Sequence, residues 1–401
     1  MSAVLTQCPK CRAELVGDVE SVRWCQRCNW NVDPGHEVPV ISTRGQRAQV
    51  QREQELFERL LTSPPKRPSP QRHVWGVLLL MLPFLLFHLT LLAGGVAVVL
   101  FGAGSWMWRL GFGSIVFALG LLPWLLTIRR RDRCPRLSRT EHPQLFEAVD
   151  AVAAAMGVRP PGGIAIEDSF DISVSVGVRR WVLHIGVPMW MSMTGEQRAA
   201  VVANRVAASR HFHSWGGLVM RSADMFEDAY NVGGRLDRWL RYPEQVKPMA
   251  VLRLPLMAYM AAKDRLTRES GLRLSYWCDR RAAEATSPSA MAGALVRLHS
   301  AIGRASGRLS VWGSRDEAGL WPLLRSLSEP PSSTELTRWE RAARLRTTFD
   351  PRGQHPPIGH RIAVLEASPL PAQQVSLLSI GADHELVEPV AQLARLMVRG
   401  G

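Results

Sequence analysis

Two long apolar runs dominate the pattern along this chain. Val74 to Phe101 spans 28 residues with no charge except one that His88 can carry, and Leu110 to Ile128 spans 19 with none. Each is long enough for the roughly 30 Å of hydrocarbon in a bilayer. Neither shows the polar face that helices of this length keep in water. The pattern therefore predicts two transmembrane helices joined by Gly102 to Arg109. Lys66, Arg67 and Arg72 precede the pair, and Arg129, Arg130, Arg131, Arg133 and Arg136 follow it. By the positive-inside rule both ends belong in the cytoplasm. No apolar stretch lies near Met1, so the first span is expected to direct its own insertion.

Shorter periodicities mark the remaining elements. Leu56, Phe57, Leu60 and Leu61 recur at helical spacing in the polar segment Arg44 to Leu61, which predicts an amphipathic helix near the membrane. Ser63-Pro-Pro-Lys-Arg-Pro-Ser-Pro70 reads as an extended linker. A helix is expected from Glu141-His-Pro-Gln-Leu-Phe146 to Met156, stopping at Gly157. Ile172 to Val178 and Trp181 to Ile185 alternate as strands around Arg179-Arg180 and predict a hairpin. Thr194 is placed to cap the next helix, with Gln197 closing a capping box. Met249 to Ala262 is apolar apart from Arg253 and too short to span; it reads as a buried helix or one on the membrane surface.

With 401 residues and 46% hydrophobic content the chain can form two or three domains. The net charge of +14 raises nucleic acid as a partner. Much of the excess flanks the apolar runs, however, where basic side chains gain about 1 kcal/mol each from anionic lipid. Arg129–Arg133 are the expected lipid contact, in preference to nucleic acid. Four of the six cysteines form Cys8-Pro-Lys-Cys11 and Cys25-Gln-Arg-Cys28. Two such knuckles complete a tetrahedral thiolate site with no position open to substrate, a structural zinc ribbon; a reducing cytosol argues against disulfides. Trp24 and Trp30 flank the second knuckle as ribbon core or as an exposed recognition face. Cys134 and Cys278 read as ordinary thiols.

Five segments occur in an order that resembles one family: the Glu141 helix, the hairpin before Gly186-Val-Pro-Met-Trp190, Thr194-Gly-Glu-Gln-Arg198, Tyr276-Trp-Cys-Asp-Arg-Arg-Ala-Ala283, and His355-Pro-Pro followed by Arg361-Ile362. This order is similar to that of membrane zinc metallopeptidases of the HtpX and CAAX prenyl-protease type. The resemblance implies an α+β, mainly helical fold: a zinc ribbon (1–38), an amphipathic helix and Pro-rich linker (39–73), a two-helix transmembrane hairpin (74–128), a gluzincin-like metallopeptidase domain (136–370) and a C-terminal helical extension (371–401). It also implies a bacterial cytoplasmic-membrane protein with its main domain in the cytoplasm.

Members of that family bind zinc through HExxH and the glutamate of a later ExxxD. The matching positions here are Asn204, Arg205, Ala208 and Ser275; Asp279 is the retained aspartate, and His355 matches a late family histidine. Ala208 has no donor atom, Asn204 and Ser275 are weak neutral donors, and Arg205 puts a cation where a dication would sit. Such a site cannot hold a metal that activates water. No catalytic zinc is therefore expected, and the resemblance points to a non-catalytic binding or regulatory scaffold, with an extended peptide pairing along the Ile172 strand. Two alternatives are an active zinc endopeptidase with other ligands and a zinc-ribbon nucleic-acid-binding protein. Other ligands are poorly placed: His211 and His213 diverge around a helix, His184 sits on a strand, and His384-Glu-Leu-Val-Glu388 lacks the second histidine. Arg205, in a partly enclosed cleft, calls for an anionic partner, for which Asp279 is the candidate in the family pattern; the alternative is an Arg205 exposed to solvent.

Overall fold

A computed structural model describes residues 6–17, 22–34, 38–68, 71–101, single positions between 104 and 115, 135–167, 169, 171–176, 181–212, 247–312, 329, 331–350 and 355–368. The chain divides into two compact units. One comprises Met1–Arg67, Cys134–Arg210 and Leu272–Gly401, the other Pro68–Arg133 and His211–Gly271. Among the described residues the first unit is mixed helical with one small sheet.

That sheet has four strands, β1 (Arg136–Leu137), β2 (Gly163–Glu167), β3 (Ile172–Val176) and β4 (Trp181–Gly186), in the order β1-β2-β4-β3. β3 and β4 form the expected hairpin, with Ile172 opposite Ile185 and Val176 opposite Trp181. β2 was not expected. It runs parallel to β4, Gly163 opposite Val182 and Glu167 opposite Gly186, and places β4 inside the sheet and β3 at its edge. Ile164, Ile166, Ile172, Leu183 and Ile185 are fully buried on one face. The alternation of side chains puts Glu167, Ser173, Ser175 and His184 on the other.

Helices follow from local signals. Along the chain, α1 (Arg44–Thr62), with Thr43 and Gln46 forming its capping box, is followed by α2 (Gln71–Phe101). α3 (Pro143–Ala155) starts with proline in its first turn and buries Leu145, Phe146, Val149 and Val152. Gly157, at φ +63°, closes it in the left-handed region. The short α4 (Val187–Met191) leads into α5 (Gly195–Phe212). Thr194 and Gln197 make the expected reciprocal cap: Thr194 N–H donates to Gln197 Oε1 at 3.1 Å, and Gln197 N–H to Thr194 Oγ1 at 3.4 Å. α6 (Lys247–Ala285), which includes Met249 to Ala262, is followed by α7 (Pro288–Trp312), α8 (Ser333–Leu345) and α9 (Ile358–Ala367). α7, α8 and α9 pack on one another, and α1 packs on α9.

The step from β4 into α4 requires glycine. A Cβ at Gly186 would stand 2.0 Å from Ser169 O and 2.2 Å from Asp171 O, while its N–H donates to Asp171 O at 2.9 Å. Gly186→Ala should therefore cost about 1–3 kcal/mol, the usual cost of overpacking, read as a lowered urea midpoint with unchanged slope.

Three expectations need correction. Among the described residues no helix is long and apolar enough to cross a membrane. The transmembrane hairpin is overturned, and with it the cytoplasmic-membrane localisation and the inferred topology. α2 begins with Gln71-Arg72-His73, and Pro83, His88 and Thr90 interrupt its apolar run. Part of its surface packs on protein: Val77 is fully buried, and a Cβ on Gly76 would lie 3.2 Å from Leu266 of α6, although Trp75 and Leu79 are exposed. Of the second run only Leu110–Phe112 and Ile115 are described. The second correction concerns α1, whose apolar stripe meets protein rather than lipid. Leu56 and Leu60 cluster with Leu272, Tyr276 and Val364, and Phe57 stacks on His360 with ring centres 3.7 Å apart. The third, the partner of Arg205, belongs to the site below. Arg129–Arg133, Cys134, His213, His384–Glu388 and the extension 371–401 lie outside the described residues.

Candidate functional site

The two CxxC segments fold into matching knuckles. Cys8 N–H donates to Ala13 O at 2.8 Å and Cys25 N–H to Trp30 O at 3.0 Å, while Arg12 N–H reaches Cys8 O at 2.9 Å and Asn29 N–H reaches Cys25 O at 3.0 Å. Arg12 and Asn29, each just after a knuckle, both have φ of 59°. The sulfurs converge, Cys8 to Cys28 at 3.5 Å and Cys11 to Cys25 at 3.4 Å, with all four Sγ atoms within 4.8 Å of one another. A tetrahedral zinc with bonds near 2.3 Å sets S···S separations of about 3.8 Å, so the four cysteines lie close enough to bind one metal ion. The Cys28 backbone N–H, with smaller contributions from Cys11 and the Arg27 N–H, outweighs burial and lowers the Cys25 thiol pKa to about 6.

Trp24 resolves the two readings left open for it. It is fully buried with Val32 and Ala342 of α8, so it joins the ribbon to the helices instead of facing outward. Asp33 reinforces the joint: Arg346 Nε donates to Asp33 Oδ2 at 2.7 Å and Arg346 Nη2 to Oδ1 at 3.2 Å. Arg338 Nη1 donates to Val32 O at 3.1 Å. Trp30 packs partly buried against the ribbon's own small core.

The second centre gathers α5, α6 and α9. Asn204, Arg205 and Ala208 lie on α5, and Ser275 and Asp279 on α6. Asp279 is 1% exposed and accepts three hydrogen bonds: from Asn204 Nδ2 at 2.8 Å, from Arg361 Nε at 2.7 Å, and from Arg361 Nη2 at 2.7 Å. Arg205 does not pair with Asp279. Its Nη2 donates to Asp171 at 2.8 Å and its Nε to the Ile172 carbonyl on β3. The reason is direction: Arg205 is half-exposed and points toward the start of β3, whereas the fork of Arg361 already fills both oxygens of Asp279. Ser275 Oγ lies 3.4 Å from His355 Nδ1. All of the sequence-derived positions thus fall around α5 and α6, but with Arg361 and Asp171 as the anchoring partners. Buried Cys278, beside Asp279, has its thiol pKa raised by burial and is unsuited to act as a nucleophile.

Neither histidine near this centre carries a proton at neutral pH. Desolvation of its ring nitrogens, although the residue keeps an exposed side, and the cations of Arg361 and Arg205 lower the pKa of His355 from 6.5 to about 4. Burial alone does the same to His360, held between Phe57 and Phe349, whose rings lie 3.7 and 4.9 Å from it. In the unfolded chain both titrate near 6.5, so between pH 6.5 and 4 the unfolded state binds more protons and stability must fall as pH falls. For His360 the loss approaches about 3 kcal/mol by pH 4. His360→Gln should flatten the pH dependence of the melting temperature across that window; an unchanged slope would refute the assignment.

His184, another candidate from the sequence, joins neither centre. It is buried in the sheet, hydrogen-bonded to Glu167 and Ser175. Among the described residues the four cysteines are the one group of histidine, cysteine and carboxylate side chains that can hold a metal. No family model, curated protein or solved structure matches this chain.

Proposed function

We propose that this chain is a metallopeptidase-like protein that has lost its catalytic zinc and serves as a binding or regulatory scaffold, with a structural zinc in its ribbon. The observation that carries the reading is the convergence of Asn204, Ser275, Asp279 and His355. Positions matched to a metal site by sequence order alone meet at one α5–α6 contact. Asn204 donates to Asp279 as a ligand histidine would to an orienting carboxylate. Arg361, a fixed cation, supplies the cross-link that a dication would otherwise provide. Among the described residues no strand pairs with the outer edge of β3, and an extended peptide can add there beyond the Ile172 carbonyl that Arg205 occupies.

Restoring the ligands tests this. The variant Asn204→His, Arg205→Glu, Ala208→His and Ser275→Glu should bind one more zinc per folded chain than the unaltered protein. A folded variant with no added zinc would remove the basis for the resemblance. The unaltered chain, given zinc, should leave an unstructured polypeptide intact; chelator-sensitive cleavage would overturn the loss of catalysis.

A further inference from the structure

The polar face of the sheet carries an acid, a base and a hydroxyl in hydrogen-bonded sequence. Glu167 on β2 lies 2.7 Å from His184 Nδ1, and His184 Nε2 lies 2.7 Å from Ser175 Oγ on β3. The register explains the line. His184 stands opposite Ala165 and Ser173, so Glu167 and Ser175 occupy the two diagonal neighbours on the same face. The imidazole is 6% exposed and Glu167 21%, while Ser175 is exposed at the sheet edge. A carboxylate only accepts, so Nδ1 bears the hydrogen that donates to Glu167, and Nε2 is left with a lone pair aimed at the serine hydroxyl.

We infer that Ser175, His184 and Glu167 form a serine acyl-transfer site for accessible carboxylic esters. This is the nucleophile, base and orienting-acid arrangement that activates a hydroxyl. The site stands apart from the Asn204–Asp279 centre and does not rest on the resemblance. In the first step the bond from Ser175 Oγ to the ester carbonyl carbon forms as His184 Nε2 takes the serine proton. Glu167 stabilises the resulting imidazolium. The ester C–O bond then breaks, and the departing alkoxide takes that proton and leaves as the alcohol. Water attacks the acyl-serine, His184 removes its proton and returns it to Ser175, and the carboxylic acid is released. The edge position supplies donors for the carbonyl oxygen. Gly186 N–H donates to Asp171 O, so Ser173 and Ser175 also face inward on the ladder, and the N–H groups of Val174 and Val176 face outward. Two positions apart on one strand, they stand about 7 Å from each other, so either one alone can donate to a carbonyl oxygen bound along this outer edge.

The test uses the full chain and an alkyl fluorophosphonate, with adducts located by peptide mass spectrometry. Attack by Ser175 Oγ forms an O–P bond and expels fluoride, with the proton again passing to His184. A single adduct on Ser175, absent in Ser175→Ala, is expected. Glu167→Gln keeps a hydrogen-bonding group of the same size but removes the charge that stabilises the imidazolium. Labelling should slow by about 100-fold or more with the melting temperature unchanged. His184→Gln should abolish labelling, and Glu167→Gln keeps the test decisive if loss of the buried ring prevents folding. Folded protein with no adduct on Ser175 would overturn the inference. So would an adduct formed equally fast in Glu167→Gln, because the serine would then react without its relay.

Discussion

Asp279→Ala should destabilise the first unit by about 3–5 kcal/mol, the range for breaking one partner out of a buried ion pair. The substitution strands the Arg361 guanidinium, whose side chain is only 13% exposed, and removes the acceptor for Asn204 Nδ2. Arg361 has no means of shedding its charge in the folded state: Asp279 overcomes the opposing effect of burial and raises its pKa still further. Asp279→Leu combined with Arg361→Met should recover most of the loss, because both charges are then gone. Arg205→Met provides the contrast. The Arg205–Asp171 pair is 26% and 52% exposed, so its removal should cost no more than about 1 kcal/mol. Urea midpoints of the four proteins distinguish the two pairs. Equal losses at Arg205 and Asp279 would mean that Asp279 does not hold α5, α6 and α9 together.

Removing metal should have the larger local effect. A ribbon of this size has little core beyond Cys8, Leu15 and Cys25. A bound zinc, at about 10–16 kcal/mol for comparable zinc peptides near neutral pH, would supply most of its folding free energy. Chelation should therefore make Cys8, Cys11, Cys25 and Cys28 reactive toward iodoacetamide together, while Cys278 stays protected by burial. Because Trp24 and Asp33 join the ribbon to α7 and α8, chelation should also speed amide exchange in Ser333–Leu345. Thiols that remain unreactive under exhaustive chelation would show that the ribbon folds without metal.

What could be read from the chain was the local part of the structure. The cap at Thr194, the stop at Gly157, the Ile172–Gly186 hairpin and the paired knuckles each depend on residues within a few positions of one another. β2 escaped because Gly163–Glu167 is five residues long and acquires its place only by parallel pairing with β4. The stripe of Leu56 and Leu60 was visible, but periodicity does not say whether an apolar face meets lipid or protein; here it meets Leu272 and Val364. The same ambiguity misled the reading of Val74 to Phe101. At the α5–α6 centre, residue order placed Asn204, Ser275 and Asp279 together. The choice between Arg205 and Arg361 for Asp279 turned on side-chain direction and on a contact 82 positions apart, which no local pattern carries.

The central claim is that metal remains in the ribbon and is gone from the α5–α6 centre. Elemental analysis of the folded, full-length protein with zinc in modest excess, followed by desalting, tests it most directly. One zinc per chain is expected in the unaltered protein and none in Cys25→Ser/Cys28→Ser. Two zincs per chain, or one that survives loss of both cysteines, would contradict it.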